Sequence, residues 1–280
     1  MEPLEWCRQR LLVKGNPLTA SLPFAAPENR NAILALRAVI TEVASIPGTV
    51  TEPDIALAKL DWWRRALVEQ LPHPAVRALA ETGAVERLDD RWFSELVDGV
   101  TLTLDNPRFE HREQAWEYFM KIGGPAARLE AGLIGADQAD SDALAVLGAN
   151  GCLVRQVRDL GPDAHANRWL VPLDIQAEFQ VSRQDALQKK ASTGFNGMVR
   201  QWLADGLRRT AQARQSLDAE TAWRQRHLLI QHALDYRLAT RLARRPQRVL
   251  EGRLLPGQFG NVWTAWRTAR RLRAKSPARY

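Results

Sequence analysis

The chain has 280 residues, 45% of them hydrophobic and 25% charged, enough for one large core or two modest ones, which excludes a disordered or low-complexity polymer. Its net charge of +7 is unevenly placed: residues 200–280 hold 18 Lys and Arg against 5 Asp and Glu, and the first 199 hold 21 against 27. That asymmetry points to an anionic partner for the C-terminal part: a membrane surface, nucleic acid or an acidic protein. The two cysteines, Cys7 and Cys152, lie far apart, and the five histidines form no Cys/His cluster with zinc spacing, which argues against a disulfide framework or a structural zinc site.

In chain order, the N-terminal MEPLEWCRQR carries acidic residues early and no apolar leader, so a cytoplasmic protein is expected. The most apolar run, 32–40, is interrupted by Arg37, and no segment approaches eighteen uninterrupted apolar residues. A soluble protein, or one peripheral to the inner membrane, is therefore expected. Helical periodicity places helices over 29–45, 53–70, 91–104, 111–134, 140–160, 183–190, 195–217, 228–242 and 258–274. Breaks are expected at Pro47-Gly48, Pro72-His73-Pro74, Asn106-Pro107, Gly161-Pro162 and Pro256-Gly257, with N-caps at 140–142 and at Ser182. No period-two strand pattern competes, and no internal repeat is present. The expectation is one all-α domain of roughly ten helices over 1–275, followed by a basic tail at 276–280 that frays. Ten tryptophans against three tyrosines suit helix packing, with a membrane interface as the alternative use.

The segment 157–172, VRDLGPDAHANRWLVP, has the most chemistry in it. Asp159 and Asp163 stand four residues apart, a spacing that on a continuous helix puts both carboxylates on one face, where they can bridge Mg²⁺ ions that also bind phosphate oxygens. Arg158 and Arg168 flank them. Pro162 falls between the two acids and should end the helix near Asp159, turning Asp163 away from its partner.

Five segments in order resemble the squalene/phytoene synthase family: SLPFAAPENRNAILALRAV at 21–39, KLDWWRRAL at 59–67, RWFSELVDGVTLTL at 91–104, EYFMKIGGPAARLEAGLIG at 117–135, and GCLVRQVRDLGPDAHANRWLVPLD at 151–174. The resemblance implies the isoprenoid synthase fold, a helical bundle around a central cavity, and head-to-head prenyl transfer from prenyl diphosphates as the nearest reaction class. It implies that Asp159 and Asp163 are the second Asp-rich motif, holding Mg²⁺ as catalytic and metal-binding residues. Arg158, Arg168 and, at the flap, Arg30 would clamp diphosphate. Glu42, Asp98 and Gly124 would line the cavity.

The chain departs from the family's pattern at the first Asp-rich motif. Over 42–48 it reads EVASIPG, with Glu42 the one acid, and Thr101 and Thr103 stand where synthases tend to be acidic. Ionising a prenyl diphosphate needs several cations on the leaving group. A half site should not supply them. A non-catalytic branch of the same family is similar in the same places, here ALRAVITEVA, DWWRRAL and VPLDI. That branch implies a membrane-associated factor for assembling a respiratory complex, using the fold as a binding scaffold for a protein partner or an isoprenoid lipid.

Smaller features remain. His165 stands in the loop of the second motif, where an exposed histidine is expected. Gly123-Gly124-Pro125 lacks the strand and the Lys-Ser/Thr of a phosphate loop and is expected to kink a helix facing the cavity. Near the C-terminus, NVWTAWRTARRLRAK sets Val262, Trp263, Trp266 and Leu272 against Arg267, Arg270, Arg271, Arg273 and Lys275. Such a stripe suits an anionic membrane surface, and no nucleic-acid module accompanies it.

Overall fold

A computed structural model describes residues 1–255 and 257–275, and every regular element in them is helical. In chain order these are α1 (Pro3–Leu11), α2 (Pro17–Ser21), α3 (Arg30–Thr49), α4 (Pro53–Ala66), α5 (Pro74–Glu81), α6 (Asp90–Thr101), α7 (Arg112–Leu133), α8 (Gln138–Arg158), α9 (Leu160–His165), α10 (Leu173–Phe179), α11 (Arg183–Leu187), α12 (Thr193–Gln215), α13 (Ala219–Arg224), α14 (Arg226–Arg244), α15 (Arg248–Glu251) and α16 (Gln258–Lys275). Ten of these have eight residues or more; eight of the ten fall on segments that periodicity marks, α1 and α5 do not, and the marked segment 183–190 is the five-residue α11. The shorter ones, such as α9 and α15, turn corners between long helices. Pro256 and the expected tail at 276–280 lie outside the described residues.

The central helix α3 is packed on most of its surface. Ten of its residues, from Ala32 to Ile46, are buried, against α1, α4, α5 and α6. It is the one helical segment among the described residues long and apolar enough to cross a membrane, with mean hydropathy 1.4 over its best window. Here it is the spine of a core, and Arg37 in its middle is ion-paired with Glu130 of α7. The expected break at Pro47-Gly48 does not occur. Pro47 lies in the last turn and removes only the bond its own N–H would make to the Val43 carbonyl; beyond it the Val50 amide still donates to the Ile46 carbonyl at 3.0 Å, so the helix runs on to Thr49.

A second core gathers the start of α7, α8, α12 and α14 around Phe195, Met198, Leu153 and Leu238. The antiparallel pair α7 and α8 joins the two cores and makes the most extensive contact between helices. Gly123 of α7 faces Gly148 of α8, and a Cβ on either would collide with the other's carbonyl oxygen. The Gly-Gly-Pro run therefore lies inside a continuous helix, where it sets the distance between α7 and α8. The N-cap of α8 is Asp137, whose side chain accepts from the Asp140 amide, upstream of the expected 140–142. Ser182 caps α11 as expected.

Candidate functional site

Helix α8 ends at Arg158, and Asp159 is its C-cap. Pro162 is the third residue of α9, where a missing N–H costs nothing because first-turn amides have no helical partner. The chain therefore continues as α9 with scarcely a gap, and the Asp163 amide donates to the Asp159 carbonyl at 2.8 Å. The expectation that Pro162 turns Asp163 away is corrected here. Both carboxylates line one cleft of about 680 Å³, together with Tyr118, Gln156, Thr103 and the end of α3 at 47–51.

The arginines around these acids hold the acids themselves. Arg158 donates to both oxygens of Asp159, Nε to Oδ1 at 2.8 Å and Nη2 to Oδ2 at 2.7 Å. Arg253, from the segment after α15, donates to the same two oxygens at 2.9 and 3.0 Å. Asp163 is held by Arg168, Nη2 to Oδ1 at 2.6 Å, and by Gln156, Nε2 to Oδ2 at 3.0 Å. Burial opposes ionisation of Asp159, and the two guanidiniums outweigh it, holding the carboxyl below the usual range. Such charge-assisted forks are strong hydrogen bonds.

Mg²⁺ does not fit this donor set. A hydrated Mg²⁺ needs carboxylate oxygens free to point at it, and here each Asp159 oxygen accepts from two guanidiniums. The facing wall at 47–51 brings no acid, and Asp159 and Asp163 are the only carboxylates among the lining residues. Among the described residues no three His, Cys, Asp or Glu side chains come together as a metal cluster. Arg155 and Arg168 also line the cleft, so its cations outnumber its acids.

Behind the cleft, the centre of the bundle keeps a cavity of about 130 Å³, which shares Arg37, Arg155, Gln231 and Asp235 with an adjoining one of about 270 Å³ and Ile122, Cys152 and Arg155 with the cleft. Ile40, Ala44, Leu96 and Ile122 line the central cavity beside Arg37, Arg155, His232 and Asp235. Burial raises the Asp235 carboxyl, and Arg155 at 3.9 Å pulls it back. Next to it, fully buried Glu130 is paired with Arg37, and His227 Nε2 lies 3.1 Å from its other oxygen without the alignment of a hydrogen bond. Burial alone would raise the Glu130 carboxyl, but Arg37 and His227 pull it down to about 2.

Four other residues expected at the site lie elsewhere. Arg30 donates to the carbonyls of Ala25 and Pro23, at 3.1 and 2.7 Å, and so fastens the flap to itself. Glu42 pairs with Arg10 of α1 at 2.9 Å, because on α3 the positions facing the interior are 37, 40, 41 and 44. Residue 42 is turned about 140° from Arg37 at 100° per residue. Asp98 is 58% exposed and pairs with Arg64 of α4 at 2.7 Å, while its neighbours Leu96 and Val100 face the cavity. Gly124 packs on Ala145 of α8, and the cavity wall instead carries Gly123, with Gly148 and Gly151 of α8. Arg158 and Arg168 are at the cleft but engaged with Asp159 and Asp163. His165 is exposed.

The residues that the motif reading missed are Arg253, Gln156, Arg37 and Asp235. Only Arg37 carried a sequence signal, as the lone charge in the most apolar run. Arg253 lies 94 positions from Asp159, and nothing local pairs them.

The squalene/phytoene synthase family model matches residues 15–260. "NADH dehydrogenase (ubiquinone) complex I, assembly factor 6" of Mus musculus is 24% identical over 185 residues, covering 64% of this chain and 55% of that protein. "Phytoene synthase 1, chloroplastic" of Arabidopsis thaliana is 23% identical over 188 residues, covering 63% and 44%. The chain thus spans about half the length of the curated relatives it matches. Among solved structures, a dehydrosqualene synthase in complex with ligand superposes with a TM-score of 0.79 at 16% identity over 97% of both chains. Squalene synthase HpnC from Alicyclobacillus acidocaldarius does so with 0.71 at 18% identity over 88% and 94%. At these identities the superpositions establish the isoprenoid synthase fold.

Proposed function

The chain belongs to the squalene/phytoene synthase family, and within it we propose that this protein is a non-catalytic member whose fold serves as a binding scaffold, in the manner of an assembly factor for a respiratory complex. The observation that carries this reading is the double fork on Asp159, in which Arg158 and Arg253 take both carboxylate oxygens. Two guanidiniums stand where a diphosphate synthase needs divalent cations. They neutralise the acid without offering an open coordination position for a leaving group.

Two further features support it. The wall at 47–51 brings no carboxylate, and the central cavity is lined by Arg37, Arg155 and Asp235 beside its apolar residues, an unfavourable setting for an apolar chain. The relative named as a complex I assembly factor supplies the kind of partner, a protein of a respiratory assembly.

The test incubates the purified protein with farnesyl or geranylgeranyl diphosphate and Mg²⁺ and measures pyrophosphate release beside an Asp159→Ala/Asp163→Ala control. Equal release from the two proteins is expected. Release above the control would establish the second reading, head-to-head prenyl transfer, which the shared opening of both carboxylates into a 680 Å³ cleft favours.

A further inference from the structure

Helix α16 packs with its small face inward. Asn261, Ala265 and Ala269 are buried against α14 and α2, whereas its large apolar residues face outward: Phe259 is 93% exposed, Trp263 60%, Val262 48% and Trp266 41%. These four lie at i, i+3, i+4 and i+7, one face of a helix. The Trp263 and Trp266 rings stack on each other with centroids 5.0 Å apart. A cluster of this kind on a single face differs from singly scattered exposed apolar residues, which need no explanation.

Beside that face runs the largest cavity of the molecule among those described, a groove of about 1120 Å³ between α14 and α16. Its rim carries Arg214, Arg241, Arg244, Arg267, Arg271 and Lys275, and no Asp or Glu lines it. Among the described residues none of these six cations has a carboxylate within 4.0 Å. Arg237, which approaches α16 over Gly260, is held by Asn261 Oδ1 at 2.8 Å and fixes the two helices against each other.

We propose that the α14/α16 face docks on an anionic phospholipid bilayer, with Phe259, Val262, Trp263 and Trp266 entering the interface and the groove arginines taking lipid phosphates. The aromatic face and the cationic rim are adjacent, and a bilayer uses both. Apolar rings sit at the acyl boundary while the guanidiniums reach phosphate oxygens above it. A nucleic acid would use the cations and leave Phe259 and Val262 in water, and rings stacked on each other are poor platforms for bases. A second copy of this face would bring one cationic rim against another. The proposal does not depend on whether the cleft turns over substrate, because groove and cleft share no residue.

The experiment is co-sedimentation of the full chain with vesicles of phosphatidylcholine alone or mixed equally with phosphatidylglycerol, across a salt series. The protein should partition onto the anionic vesicles only, and salt should release it. Lipids brominated near the headgroup should quench tryptophan fluorescence, and the quenching should fall in a Trp263→Phe/Trp266→Phe variant. Arg241→Glu/Arg244→Glu/Arg267→Glu/Arg271→Glu should lose about a hundredfold in partitioning. The matching Arg→Lys set should keep it, and equal helical circular dichroism in both sets would show that folding is intact. Equal binding to neutral vesicles, no binding to either, or tighter binding to a single-stranded oligonucleotide at the same salt would each overturn the proposal.

Discussion

The interior of the bundle and the α14/α16 face are both rich in arginine, and they use it in opposite ways. In the interior and at the cleft that opens from it, these cations each meet a carboxylate: Arg37 with Glu130, Arg155 near Asp235, Arg158 and Arg253 with Asp159, Arg168 with Asp163. On the face, six cations rim a groove without one acid. An arginine whose partner lies within its own chain is committed to the fold, and one with none is available to something outside it. In this protein the Asp159/Asp163 cleft falls in the first class, and the face of α16, whose sequence stripe suits an anionic membrane surface, falls in the second.

Substitutions at the two regions should therefore differ in kind as well as in size. Glu130 is fully buried, and Glu130→Gln leaves Arg37 without its counter-charge. A loss of roughly 3 to 5 kcal/mol in denaturant-unfolding free energy is expected. A loss below 1 kcal/mol would mean that the interior pairs are not committed in this way.

Acid should act next. Burial, with Arg214 adding to it, pushes the His232 imidazole down to about 4 from 6.5, so the folded state binds the proton less readily than the unfolded chain. Its contribution is fully present above pH 6.5 and is lost as pH falls toward 4, about 3 kcal/mol at most. Glu130, pulled down to about 2 from 4.5, also favours the fold above its unfolded value. It loses that contribution as pH falls from 4.5 toward 2. Unfolding free energy measured against pH should thus decline in two stages, and His232→Gln should flatten the first alone.

Asp159→Asn should cost less, about 2 kcal/mol, because Arg253 is exposed to solvent screening. A double-mutant cycle with Arg253→Ala should return a coupling of about 1 kcal/mol. At the face, Arg244→Ala should change stability by about 0.5 kcal/mol or less, since it has no partner to leave behind. A large loss there would reveal an internal role and erase the contrast.

Much of this was legible in the sequence. The long helices followed from apolar periodicity, the fold from ordered segments such as DWWRRAL, and the absence of a second acidic wall from EVASIPG. Glu42, Asp98 and Gly124 were misplaced because family position was used in place of helix phase. Counting 100° per residue from Arg37 or Leu96 points the first two away from the interior. The forks on Asp159 were not legible. An acid beside an arginine reads equally as two halves of a substrate site or as one closed pair, and Arg253 arrives from 94 residues away. Pro47 misled for a simpler reason: it falls in the last turn of α3, where it costs one backbone bond while the Val50 amide still closes on the Ile46 carbonyl.

The central claim, that guanidiniums rather than metal ions occupy Asp159, is tested most directly by thermal unfolding at increasing Mg²⁺. An ion that binds only the folded state raises Tm with its concentration. The expected result is a Tm that Mg²⁺ leaves unchanged beyond the effect of an equal ionic strength of Na⁺. A rise specific to Mg²⁺ that disappears in Asp159→Asn would contradict the account.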